Sequence, residues 1–206
     1  GKLSKRLGAV GVGTMQQDGL EPMALLSLLA HLGTSHAVEA VASFDDLAAS
    51  FDFAQFGRAP AHFDFHDVEL LNAKLLHHLP YDHVRERLPA DLTEEDWQLL
   101  RGNLSHLDEA QDWVSVLHGD IPPPQLPPED RDYLSEAADV AWGTDWSADP
   151  WPAITGALKE RTGRKGKPLF LPLRLALTGR DSGPEMAPLL KLIGRQRALE
   201  RLRQAR

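Results

Sequence analysis

Five prolines crowd the stretch Ile121–Pro128, at positions 122, 123, 124, 127 and 128, and no regular helix runs through such a segment. Each proline lacks the backbone N–H that a helical turn needs, so the run predicts a stiff extended connection and the best boundary in the chain. On either side the dominant period is helical. Pro22 at a first-turn position, then Met23, Leu25, Leu26, Leu28, Leu29 and Leu32, closed by Gly33, predicts a short, largely buried helix. Asp67 is expected to cap the next one, which carries Val68, Leu71, Leu75 and Leu79 on one stripe and ends at Pro80. Two more are expected at Thr93–Arg101 and Ser105–Leu117, the second stopping at Gly119. Beyond the proline run the spacing predicts helices near Glu129–Trp142, Trp151–Arg161, Leu169–Leu177 and Pro184–Gln204. Pro168 and Pro172 fit the first turn of one helix or of a split one. No segment alternates with period two and no fixed-length repeat is visible, so the expected class is all-α and not a solenoid.

Composition narrows the function classes. The 206 residues, 42% hydrophobic, suffice for one or two packed units, and no apolar run approaches the roughly 20 residues that span a bilayer. With no Cys, disulfide frameworks, thiol nucleophiles and thiolate metal sites are excluded, which fits a reducing, cytoplasmic setting. The net charge of −8 hides a division: residues 161–206 hold 12 Lys or Arg against Asp181, Glu185 and Glu200, while residues 1–160 hold 10 basic and 27 acidic side chains. A basic segment on an acidic body suits a phosphate backbone; a solvated helix face with a frayed tail has the same composition. Arg164, Lys165, Lys167 and Arg180 are the backbone-contact candidates on charge alone.

Histidine is frequent, at nine copies, and His62 and His66 flank Asp64 ahead of His77 and His78. A loop placement without any Cys argues against zinc, and no metal site is expected. The five Trp, at 97, 113, 142, 146 and 151, read as packing between helices; Trp142, Trp146 and Trp151 around the Gly143-Thr144 break would alternatively form a stacking platform.

The chain opens on Gly1 without a Met, directly before Lys2-Leu3-Ser4-Lys5-Arg6, a start that suggests a piece of a longer protein. Two lysines flanking a small hydroxyl residue suit the gathering of negative charge on a phosphate chain during nucleotide transfer. Followed by Gly8, this pentapeptide resembles the second signature loop of class I aminoacyl-tRNA synthetases, in the variant of bacterial glutamyl-tRNA synthetases. Leu20–Gly33, Pro60–Asp64 with Leu71-Asn72, and Pro172–Gly179 with Gly183-Pro184, Leu189-Leu190 and Leu192–Arg195 resemble successive segments of the same family. The resemblance covers essentially the whole chain.

It implies the C-terminal half of such an enzyme, with the catalytic domain upstream. Residues 1–80 would hold the signature loop and a helical stem-contact region, 81–121 a first helical anticodon-binding subdomain, and 122–206 a second, basic one. The parent reaction would join glutamate to tRNA(Glu) with ATP and Mg²⁺ through a glutamyl-adenylate. Lys5, helped by Lys2, would then meet the charge on leaving pyrophosphate, and Ser4 would supply a hydrogen bond. Arg174 matches the family's arginine that reaches the anticodon loop, and Gly183, Pro184 and Met186 match the turn that packs against splayed bases. Gly183 replaces a hydroxyl residue that some members carry. Asn103, aligned through Leu99–Leu104, falls where some members that reject tRNA(Gln) carry an arginine, so relaxed discrimination or another way of discriminating is expected. The piece alone, a monomer, would bind tRNA but make no adenylate. A stand-alone tRNA-binding module and a helical DNA-binding protein are the competing readings.

Overall fold

The computed structural model describes residues 19–58 and 61–206, and these cluster into two compact units. The first gathers the described residues up to Ala90 together with Arg101–Gln111; the second gathers Asp91–Leu100 with Asp112–Arg206. Among the described residues the regular elements are helices, and the sole extended pairing is a bridge between Thr34 and Phe56. Among the described residues no helix is long and apolar enough to cross a membrane.

In the first unit, α1 (Pro22–His31) packs on α3 (Phe65–Leu76) through Ala24, Leu28, Val68, Leu71 and Leu75. Asp64 rather than Asp67 caps α3: the His66 N–H donates to Asp64 Oδ1 at 2.9 Å, and Asp67 sits inside the first turn. Both residues lie at the positive helix end, but Asp64 has the extended backbone a cap requires. Between α1 and α3 lies α2 (Phe44–Ser50), capped by Ser43, followed by a 3₁₀ turn at Phe53–Gln55. A short α4 (Tyr81–Val84) follows Pro80. The 3₁₀ turn and α4 escaped the sequence reading because they are too short to show a period, and α2 because it buries only Leu47 and so carries no apolar stripe. Buried Asn72 ties the unit together by accepting from the Glu21 N–H at 2.7 Å and donating to the Ser105 carbonyl at 2.6 Å.

The expected helix Ser105–Leu117 divides into a 3₁₀ turn, Leu107–Ala110, and α6 (Gln111–His118). His106 is extended, at φ −131° and ψ 149°, and the Ser105 N–H turns to the Glu109 carboxylate at 2.9 Å instead of entering a helix.

The second unit carries α5 (Glu94–Leu100), the greater part of α6, and α7 (Pro128–Gly143), α8 (Pro150–Thr162), α9 (Lys167–Thr178), α10 (Met186–Ile193) and α11 (Arg195–Gln204). Helix α7 packs against α8, α9 and α11, and α10 against α5, α8 and α11. Residues 121–127 are non-helical, with Pro127 at φ −64° and ψ 156°, and Pro128 opens α7. The proline run thus joins elements of one unit.

Pro168 and Pro172 belong to one helix, α9. Pro172 has no N–H for the Pro168 carbonyl one turn back; Arg164 Nη1 donates to that carbonyl instead, at 3.1 Å. The expected continuous helix Pro184–Gln204 begins only at Met186 and breaks at Gly194, whose φ of 81° and ψ of 160° favour glycine. The break lets α10 and α11 pack on one another as separate helices.

A buried arginine closes this unit. Arg201, 5% exposed, donates to the carbonyls of Ser115 (3.1 Å), Val116 (2.8 Å), Gly119 (2.9 Å) and Leu177 (2.6 Å). These are carbonyls at the C-terminal ends of α6 and α9, where helices leave acceptors unused. Burial, and next the nearby Arg197, lower the basicity of its guanidinium, opposed by Asp120. Near α5, buried Asp96 accepts at Oδ2 from the Thr93 N–H and hydroxyl and shares a 2.8 Å contact with His118 Nε2.

Candidate nucleic-acid interface

The end of α9 and the turn after it bring Arg174, Arg180, Gly183, Pro184 and Met186 into one part of the second unit. Helix α9 stops at Gly179, whose left-handed backbone (φ 69°, ψ 5°) turns the chain sharply. Thr178 secures the stop: its hydroxyl donates to the Arg174 carbonyl at 2.7 Å and accepts from the Arg180 N–H at 3.1 Å. Arg174, four residues before Thr178, then reaches across the turn, and its Nη2 donates to the Pro184 carbonyl at 2.8 Å.

Arg174 is only half satisfied. Its Nη1 is buried and has no acceptor among the described residues. Burial lowers the basicity of the guanidinium, partly opposed by Asp181. A guanidinium remains charged in proteins, and an N–H donor held from water without an acceptor is costly, so Arg174 has hydrogen-bonding capacity that the turn itself does not use.

Around it the roles separate. Gly183 is exposed while Pro184 and Met186 are buried, Met186 at 7% beside Leu189 and Leu190 in α10. Met186 is therefore a core residue in this structure and Pro184 an anchor of the turn. Arg180 lies with its guanidinium carbon 4.9 Å from the centre of the Trp113 ring and pairs with Asp112 at 3.2 Å. Arg164 is held by its own unit, paired with Asp130, bonded to the Glu129 and Pro168 carbonyls, and stacked 4.3 Å over Tyr133. Under that cation, burial raises the Tyr133 phenol well above its ordinary range. Lys165 and Lys167 are exposed and carry no partner among the described residues. Asn103 is exposed on the 3₁₀ turn Arg101–Asn103 of the first unit. Lys2, Ser4 and Lys5 lie outside the described residues.

Trp97 and Trp113 are core residues, as expected of them, but Trp142 is 57% exposed. Arg195 and Arg203 cover its ring, with guanidinium carbons 5.0 and 4.9 Å from the centroid. Charge and spacing alone did not reveal that Arg174, Arg164 and Arg201 each serve a backbone carbonyl. The signal that was present is the pairing of Pro172 with Arg164: a proline inside a helix frees a carbonyl that something must satisfy. Among the described residues no group of three or more His, Cys, Asp or Glu converges on a metal position, and His66 contacts Glu69 at 3.3 Å.

Residues 123–206, which include this turn, match the family model described as the anticodon binding domain. Over 202 residues the chain is 52% identical to Glutamate--tRNA ligase 1 of Novosphingobium aromaticivorans, covering 98% of this chain and 46% of that one. It is 53% identical over 205 residues to Glutamate--tRNA ligase 1 of Rhizorhabdus wittichii, covering all of this chain and 46% of the relative. The chain thus spans about half the length of the curated relatives it matches. Its fold is similar to the crystal structure of a glutamate tRNA ligase from Elizabethkingia meningosepticum in complex with its amino acid. There the TM-score is 0.75 at 20% identity, over 100% of this chain and 48% of that chain.

Proposed function

We propose that this chain, which belongs to the glutamate–tRNA ligase family as its C-terminal, anticodon-binding part, holds the anticodon arm of tRNA(Glu) against the Arg174–Pro184 turn. The observation that carries the reading is Arg174, half-buried beside the exposed glycine turn, with an Nη1 that has no acceptor among the described residues. An unpaired base presents acceptors at its edge, and a planar guanidinium both donates to that edge and stacks on it. Arg180, Lys165 and Lys167 add cations for the phosphate backbone, a contribution that weakens with salt. Arg164, already engaged by Asp130 and two carbonyls, acts by stiffening the start of α9.

The reaction of the full-length enzyme is the attachment of glutamate to tRNA with ATP and Mg²⁺. In this reading Lys5 and Lys2 would balance charge on the leaving pyrophosphate and Ser4 would donate a hydrogen bond to it. Residues 1–80 serve the stem side, 81–121 the first part of the anticodon cage and 122–206 the second. The 206-residue chain alone is a cytoplasmic, monomeric binding unit without adenylate synthesis; ATP–pyrophosphate exchange by it would refute that.

The exposed neutral amide of Asn103 favours a second statement about specificity, that the full-length enzyme charges tRNA(Gln) as well as tRNA(Glu). A preference for tRNA(Glu) alone in aminoacylation assays would overturn it. The central test is filter binding of the chain to both tRNAs, to anticodon variants and to duplex DNA. Arg174→Ala is expected to weaken binding of the intact anticodon loop about tenfold or more, consistent with the loss of a charged hydrogen bond. Equal binding of duplex DNA, or no effect of Arg174→Ala, would refute the reading.

A further inference from the structure

Gly183 stands against a wall. Its φ is +134°, and a Cβ built on it would come 2.5 Å from Cη2 and 2.9 Å from Cζ2 of Trp113, closer than real side chains approach. Trp113 cannot swing away freely, because its indole is 5% exposed, at the α6 end of the unit's core. The same ring carries the Arg180 guanidinium 4.9 Å from its centroid, and the Cβ position at 183 is 3.6 Å from Arg174 Nη1, the nitrogen without an acceptor. One buried ring therefore touches both flanks of the candidate RNA-facing turn.

We infer that Trp113 is a positioning residue of this site: its indole supports the Gly183–Pro184 turn and steers Arg180, and so determines which unpaired bases the site accepts. The inference rests on the anticodon-arm reading and deepens it. Trp113 is too buried to stack on a base; it acts through the turn above its edge and the cation above its ring. With the space beside Gly183 filled by the indole, no side-chain hydroxyl fits there. Base selection then falls to the donors of Arg174, of the turn backbone and of Arg180 as the indole holds it, which favour a base edge rich in acceptors.

The test uses the 206-residue chain and anticodon stem-loop RNAs carrying each of the four bases at the first anticodon position. Trp113→Phe removes the atoms that meet residue 183 while keeping an aromatic core, and circular dichroism and thermal melting check the fold. It is expected to narrow the spread of affinities among the four RNAs about threefold or more, leaving an RNA stem without the loop bound as before. Gly183→Ala is expected to weaken loop binding about tenfold. With Trp113→Phe already in place, Gly183→Ala should cost about threefold less than it does beside the native Trp113, because the clash is relieved although the strained φ persists. Arg180→Gln, on the surface, should reproduce part of the narrowed spread and lower the salt slope by about one.

An unchanged spread in both Trp113→Phe and Arg180→Gln, or losses that simply multiply in the double variant, would overturn the role of Trp113 and leave the anticodon-arm reading standing. Failure of the unaltered chain to prefer an intact loop over a stem would overturn both.

Discussion

The two units solve the same problem with different side chains. The first joins three distant segments through one neutral amide, Asn72, with a single long-range acceptor and a single long-range donor in use. The second joins the ends of two helices to a third through one guanidinium, Arg201, which serves four carbonyls. An amide suits loops whose lone N–H or carbonyl needs a partner. A guanidinium suits helix ends, where several acceptors cluster and the negative end of the helix dipole favours a cation. Aromatic exposure does not follow this division: Phe44 and Phe53 of the first unit are 64% and 82% exposed, and in the second Trp142 is 57% exposed while Trp97 and Trp113 lie in the core.

Arg201→Met should break this comparison most severely. It keeps the apolar stem but removes the guanidinium from four carbonyls, of which, among the described residues, Ser115 alone keeps a second donor, the Gly119 N–H, and we expect a loss of about 4 kcal/mol. Because a chain with two units need not unfold in one step, hydrogen exchange is the suitable measurement, with protection lost in α6, α9 and α11 and retained in α1 and α3. Loss spread evenly over both units would show that Arg201 is not specific to the second.

Asn72→Leu probes the first unit in the same assay. It strands the Glu21 N–H and the Ser105 carbonyl, and about 2 kcal/mol should be lost. Protection should fall around α1 and α3 while α9 and α11 stay as before. The smallest effect is expected from Phe53→Ser, an exposed position, where stability should change by no more than about 0.5 kcal/mol. A larger loss, read from the denaturant midpoint, would mean that the contacts of Phe53 with the Phe51 and Phe56 rings, at centroid distances of 5.0 and 6.3 Å, hold the segment together.

Helix existence was legible from hydrophobic spacing wherever a helix exceeded about two turns and ran to a Pro or Gly, as α1, α7 and α8 did. Helices α2 and α4 and the 3₁₀ turns were not: they rest on local hydrogen bonds that periodicity does not register. Boundaries failed where two signals competed. Asp67 and Asp64 are both plausible caps, and Gly194 sits in a sequence whose apolar positions continue through it. At the candidate interface, Arg174 was legible only through the resemblance of the Pro172–Gly179 segment. Trp113 was read as packing, which it is, with no hint that its edge lies under Gly183.

The helical class, the helix stops before Gly33, Pro80 and Gly119, the basic C-terminal stretch and the family resemblance were all written in the amino-acid sequence. Each of these follows from local backbone chemistry, from charge counting or from motif order. Which arginines remain free to meet a ligand was decided only by the tertiary structure. Arg164 and Arg201 differ from Lys165 and Lys167 not in charge but in the carbonyls that folding brings within their reach. A guanidinium surrounded by unused acceptors is drawn into the fold, and an ammonium on an exposed turn stays in water.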